Sequence, residues 1–196
     1  MAIRNELMDL LISPDVASRL NFSINGRQVN GALMRSVKEA IERYTIYIVV
    51  DRNVTDHSAT RNGLTGAVTS GGADAQYDAS NNSFIFPTDQ FANEHKRALA
   101  LHEAVHAAFD INRYRMWAID DEAAAYIAQC IYLRVKRETI TNMTPTFQAA
   151  DAAAAAIMSP GGTLTPALLQ ALEQALLNNP LYHNINSRTS TYPRNG

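Results

Sequence analysis

Residues 98–110 read Ala98-Leu-Ala-Leu-His102-Glu103-Ala-Val-His106-Ala-Ala-Phe-Asp110. Alanine and leucine dominate the stretch, so it predicts a helix. Four residues is close to one helical turn, so His102 and His106 leave the same face. Two imidazoles one turn apart can grip a single zinc ion at about 2.0–2.1 Å each. Glu103, beside the first of them, reaches toward a water on that ion. Zinc lowers the pKa of such a water to roughly 7, where a carboxylate can take its proton near neutral pH.

Only three positions of the pattern are fixed, and composition alone produces it in roughly one chain of this size in a few hundred. The bland alternative is two solvent-facing histidines on an amphipathic helix. The flanks argue against it: Ala100, Leu101, Ala104, Val105, Ala107 and Ala108 are all small or apolar. Such a helix is built for burial, and two histidines and a glutamate buried without partners are costly. A metal supplies the partner.

A catalytic zinc takes a third protein ligand and keeps one position open. Downstream comes Ile119-Asp120-Asp121-Glu122-Ala123-Ala124-Ala125-Tyr126-Ile127-Ala128-Gln129. Glu122 stands early in a second helix whose alanines allow close packing on the first, and it is the preferred third ligand. Asp120 and Asp121 read as helix-start residues favoured by the helix dipole. Asp110, one turn past His106, competes as ligand or as a carboxylate supporting a histidine.

His102-Glu103-x-x-His106, followed by a glutamate on the next helix, resembles the gluzincin group of zinc metallopeptidases. That resemblance implies that His102, His106 and Glu122 bind Zn2+ and that Glu103 is the general base. The short spacing and the Glu-Ala-Ala-Ala-Tyr-Ile-Ala run look more like the compact ImmA/IrrE-type peptidases than the large thermolysin-like ones. In those compact forms a small sheet leads into the active-site helix, as Asn82-Ser-Phe-Ile-Phe-Pro87 does here. The resemblance covers about residues 45–135. The metzincin pattern fails, since Phe109 and Asn112 replace its glycine and third histidine. Many gluzincins place an aspartate one turn after the glutamate ligand to orient a histidine; here that position is Tyr126. Tyr114, Tyr126 and His183 are candidates by chemistry for stabilising an oxyanion, each weighed against a plain packing or surface role. His95, two turns before His102, reads as a surface residue. Cys130 reads as an inert core thiol.

Outward from this centre, the chain predicts α+β. Asn5–Leu20 reads as helix in pieces, broken near Ser13-Pro14. A helix from Gly31 to Tyr44 shows a stripe of Leu33, Val37, Ile41 and Tyr44. It feeds Thr45–Asp51, an Ile/Val-rich strand buried on at least one face. Residues 52–66 read as loop. Short strands are expected at Gly66–Thr69, Ala75–Asp78 and Ser83–Phe86, the last two joined by a turn at Ala79–Asn82. Ser70-Gly71-Gly72 reads as a plain Gly turn. Pro87-Thr88-Asp89 opens the His102 helix, with Thr88 or Asp89 as its cap. Further helices are expected over Ile119–Lys136, from Thr144-Pro145 to Met158, and from Thr165-Pro166 to Leu177. The expected architecture is a small, mostly antiparallel sheet on a helical bundle, zincin-like by the resemblance. Residues 1–178 are expected to form one domain, with a core at about 45–137, C-terminal helices at 144–177 and a polar tail at 179–196. The tail, with Tyr182, His183 and Tyr192, is a candidate to occupy the cleft.

The 196 residues are 46% hydrophobic and 18% charged, with a net charge of −2. That is a globular composition without the basic excess of a nucleic-acid or anionic-membrane surface. One cysteine rules out an intrachain disulfide and fits a reducing compartment. No apolar run approaches the roughly 20 residues that span a bilayer, and the first residues do not read as a Sec signal. The expectation is a cytoplasmic protein, with export by a machine that reads other signals still compatible. The expected function is hydrolysis of a protein or peptide substrate, with no nucleic-acid or membrane partner. A different class competes: a structural or vestigial metal site in a protein acting through partner interaction. A zinc hydrolase of a non-peptide amide would use the same residues. If the strand Ser83–Phe86 is a sheet edge, it is the place to hold an extended peptide.

Overall fold

A computed structural model describes residues 2–52, 75–140 and 143–182. The strand at Gly66–Thr69, the Gly turn at 70–72, nearly all of the 52–66 loop, His183 and the rest of the tail lie outside these.

The architecture is α+β. The N-terminal helices α1 (Ala2–Ile12) and α2 (Pro14–Arg19) break where Ser13-Pro14 predicts. Ser13 caps α2 by accepting the Val16 N–H, and Pro14 fills the first turn, where no N–H is needed. Strands β1 (Asn21–Ile24) and β2 (Arg27–Asn30) form an antiparallel hairpin. Its loop is Asn25-Gly26, with φ of 46° and 80°, the left-handed pair that a two-residue hairpin turn requires. No expectation covered this hairpin.

Helix α3 (Gly31–Glu42) is capped by the Asn30 side chain and buries Leu33, Met34, Val37, Ala40 and Ile41. Gly31 lets it approach α2, since a Cβ there would meet the Ala17 backbone at 2.7 Å. The expected stripe stops short of Tyr44. The helix has ended, Tyr44 takes a left-handed φ of 58°, and its ring is exposed, beneath the Arg4 guanidinium.

Strands β3 (Tyr47–Val50), β4 (Gln76–Asp78) and β5 (Ser83–Phe86) form a sheet in the order β3-β5-β4. The β4–β5 hairpin turns at Ala79–Asn82, where the Asp78 carboxylate accepts the Ser80 N–H and the Asn81 side-chain amide. Strand β3 pairs with β5 in parallel, so this sheet is mixed, whereas a mostly antiparallel one was expected. Because β5 lies between β3 and β4, it cannot be the open edge expected of Ser83–Phe86; among the described residues β4 and β3 are the edges.

Helix α4 (Glu94–Ile111) carries the two histidines. It starts later than expected, capped by Asn93 accepting the Lys96 N–H rather than by Thr88 or Asp89. The delay has a packing cause. Phe91 meets Phe86 edge-to-face at 5.6 Å, and its N–H donates to Glu6, which ties the 87–92 segment down before the helix begins. Helix α5 (Ala118–Val135) is buried almost throughout and packs on α4. Fully buried alanines on both, among them Ala100, Ala104, Ala124 and Ala128, keep the helices close. Helices α6 (Pro145–Met158) and α7 (Pro166–Leu177) start at prolines after the Thr144 and Thr165 caps, as expected, and pack on α5. A single 3-10 turn follows at Pro180–Tyr182. Among the described residues no helix is long and apolar enough to cross a membrane.

Candidate metal centre

The α4–α5 packing brings His102, Glu103 and His106 of α4 together with Asp121 and Glu122 of α5. His102 and Glu122 are both 5% exposed. Glu122 faces both imidazoles: Oε2 lies 3.6 Å from His102 Nε2, and Oε1 lies 3.7 Å from His106 Nε2. Donor atoms of His102, Glu103 and His106 also lie within 4.8 Å of one another. Ligands held tetrahedrally at about 2.0–2.1 Å from one zinc are about 3.3–3.4 Å apart. The two spacings around Glu122 are a few tenths of an ångström wider than that, and the group whose donor atoms all lie within 4.8 Å of one another is His102, Glu103 and His106.

Charge points the same way. Burial, the largest influence, works against a protonated His106, but Asp121 and Glu122 outweigh it, with Glu103 adding, and push its pKa up to about 10. Three carboxylates around two imidazoles make a place that favours a cation. Glu103 is raised above the usual carboxylate range by burial, opposed by the two histidines and by a hydrogen bond from the Tyr77 N–H; Glu122 raises it further.

Asp121 has a role that its sequence position concealed. It was expected only to begin the helix, yet it is fully buried and its Oδ1 lies 2.8 Å from His106 Nδ1. With Nδ1–H donating to Asp121, Nε2 is the ring nitrogen of His106 that faces Glu122. Asp110, the other expected partner, is engaged elsewhere: its Oδ2 accepts the Tyr77 hydroxyl at 2.9 Å. The supporting carboxylate therefore comes from the residue just before Glu122, and not from one turn after it.

Tyr126 occupies that later position and does something different. Its ring meets the His102 ring edge-on, with centroids 4.8 Å apart at 90°. His102 Nδ1 is buried and has no hydrogen-bond partner among the described residues. Ring contacts, including the His106 ring at 5.0 Å, take the place of a hydrogen bond in orienting it. The Tyr126 hydroxyl lies 3.0 Å from that of Tyr182, in the 3-10 turn. Burial first, then Glu122, raise its pKa beyond the ordinary phenol range, so it keeps its proton.

The other candidates are placed as follows. Tyr114 packs on Phe109 and under the Arg27 guanidinium. His95 is half exposed and lies 3.7 Å from Glu138. Cys130 is buried and free, its thiol pushed up to about 12 by burial. The sequence reading missed Tyr77, read Asp121 only as a helix-start residue favoured by the dipole, and took in Tyr182 only as part of a tail that could occupy the cleft. Nothing in the sequence signalled Tyr77.

No family model matches the chain, and no curated protein or solved structure matches it either.

Proposed function

We propose that this chain is a zinc-dependent metallopeptidase of zincin-like architecture, with His102, His106 and Glu122 as the metal ligands and Glu103 as the general base. The observation that carries the reading is the placement of the two Glu122 oxygens, 3.6 Å and 3.7 Å from the Nε2 atoms of two histidines one turn apart. Zinc held by these residues supplies a water acidic enough to lose its proton near neutral pH and a Lewis acid for the carbonyl.

The chain's own residues do the rest. Glu103 takes the proton of the attacking water as its oxygen bonds to the carbonyl carbon. It then delivers that proton to the leaving nitrogen as the C–N bond breaks. His106 is kept in one tautomer and orientation by Asp121. Tyr126 is our candidate donor to the developing oxyanion: it holds its proton, and Tyr182 can donate to it while its own O–H turns to the substrate.

Elemental mass spectrometry of the purified protein is the first test, with about one zinc per chain expected. A fluorescence-quenched peptide library then reads turnover of the zinc-loaded chain. Absence of zinc even after reconstitution, or a zinc-loaded chain that cleaves nothing, would overturn the reading.

A further inference from the structure

Glu103 is held from outside its own helix. Its Oε2 accepts the backbone N–H of Tyr77 on β4 at 2.8 Å. The same residue is tied to α4 a second time. The Tyr77 hydroxyl lies 2.9 Å from Asp110 Oδ2 and 3.2 Å from Asn82 Oδ1. Glu103 and Asp110 are seven residues apart, two turns along one face of α4. Tyr77 spans that interval, with its main chain at one carboxylate and its phenol at the other.

The span has mechanical content. Strand β4 is three residues long and among the described residues pairs with β5 alone, a ladder that by itself holds it weakly. Tyr77 is buried, and its ring packs on Phe84 of the central strand with centroids 5.2 Å apart. Asp110 is fully buried and accepts the Tyr77 O–H, which ties the phenol to α4. With ring and hydroxyl fixed, the Tyr77 N–H has one place to point.

We propose that Tyr77 is a positioning residue for Glu103: its phenol, anchored on Asp110, holds its backbone N–H against the Glu103 carboxylate. The role rests on the proposed reaction, in which Glu103 carries a proton from the water to the leaving nitrogen. A side chain with three rotatable bonds does this efficiently only from one orientation, and misplacement by about 1 Å can cost on the order of a hundredfold in rate.

Tyr77→Phe is the test, because it keeps the ring on Phe84 and removes only the phenol oxygen. Two measurements on the zinc-loaded full chain decide it. In the quenched-peptide assay, kcat falls about tenfold while KM and zinc stoichiometry stay within about twofold of the native values. By hydrogen exchange, the residue 77 amide exchanges about tenfold faster while the β5 amides are unchanged. Native-like kcat and exchange in Tyr77→Phe overturn the role and leave the proposed function standing. Loss of zinc in step with loss of rate overturns it too, since that marks a merely structural residue. A native zinc-loaded chain that cleaves no peptide overturns the function and this role together.

Discussion

Asp121 Oδ1 stands 2.8 Å from His106 Nδ1, inside a helix pair where neither side chain is well exposed. In the proposed zinc site both the charge and the acceptor would act on metal affinity, because a histidine that donates from Nδ1 to a carboxylate is oriented and made more basic at Nε2. Asp121→Asn keeps the size and removes the charge. Its zinc affinity is expected to fall by about 10- to 100-fold. Competition with a chromogenic chelator measures this; an unchanged affinity would show that the pair is structural only.

Glu103→Gln separates binding from turnover. Glu103 is not in the proposed ligand set, so the variant should keep about one zinc per chain. An amide cannot take the proton, so kcat should drop by about 10²- to 10⁴-fold. Full activity in a zinc-loaded Glu103→Gln protein would remove the carboxylate from the mechanism.

Tyr126→Phe tests the oxyanion donor. The ring contacts to His102 and Phe147 survive the change, and only the hydroxyl that meets Tyr182 is lost. Removing a single oxyanion donor costs about 10²- to 10³-fold in kcat, with zinc content unchanged. A kcat within twofold of native would leave Tyr126 as a wall of the site.

What the sequence made legible follows the range over which each signal acts. Capping and helix-start residues act over four positions, so Ser13-Pro14, Thr144-Pro145 and Thr165-Pro166 place their helices well. The Asn25-Gly26 hairpin was equally local and was there to be read, between Phe22 and Ile24 on one side and Val29 on the other. His102, His106 and Glu103 were legible because one helical turn brings them together, and Glu122 because it is a carboxylate beside a run of alanines early in the next helix. Tyr77 and Asp110 are 33 positions apart, and Tyr126 and Tyr182 are 56 apart. Pairs of that kind depend on how elements dock, which no local pattern records. The late start of α4 has the same origin, since Glu6 and Phe86 hold Phe91 in place from outside the segment. Asp121 shows the limit most sharply: beside Glu122 it looks like a helix start, and only the packing of α5 on α4 turns it toward His106.

Cys130 gives a test of the packing of α5 that is independent of any metal. Its thiol is fully buried, and burial pushes its pKa from 9.0 up to about 12, with Asp151 adding and Arg134 opposing. The thiolate is the reactive form, so at pH 8 the native protein should resist iodoacetamide while the urea-unfolded chain is labelled. The sign of the linked stability follows. Below pH 9 the thiol is protonated in both states and its burial costs no ionisation. Between pH 9 and about 12 the unfolded chain releases the proton first, so the unfolded state is favoured and stability falls as pH rises through that window. Cys130→Ala should flatten this fall in urea titrations at pH 8 and pH 10, at the cost of a small cavity. Rapid labelling of the native protein at pH 8 would mean that α5 opens far more readily than a helix buried on nearly every side should.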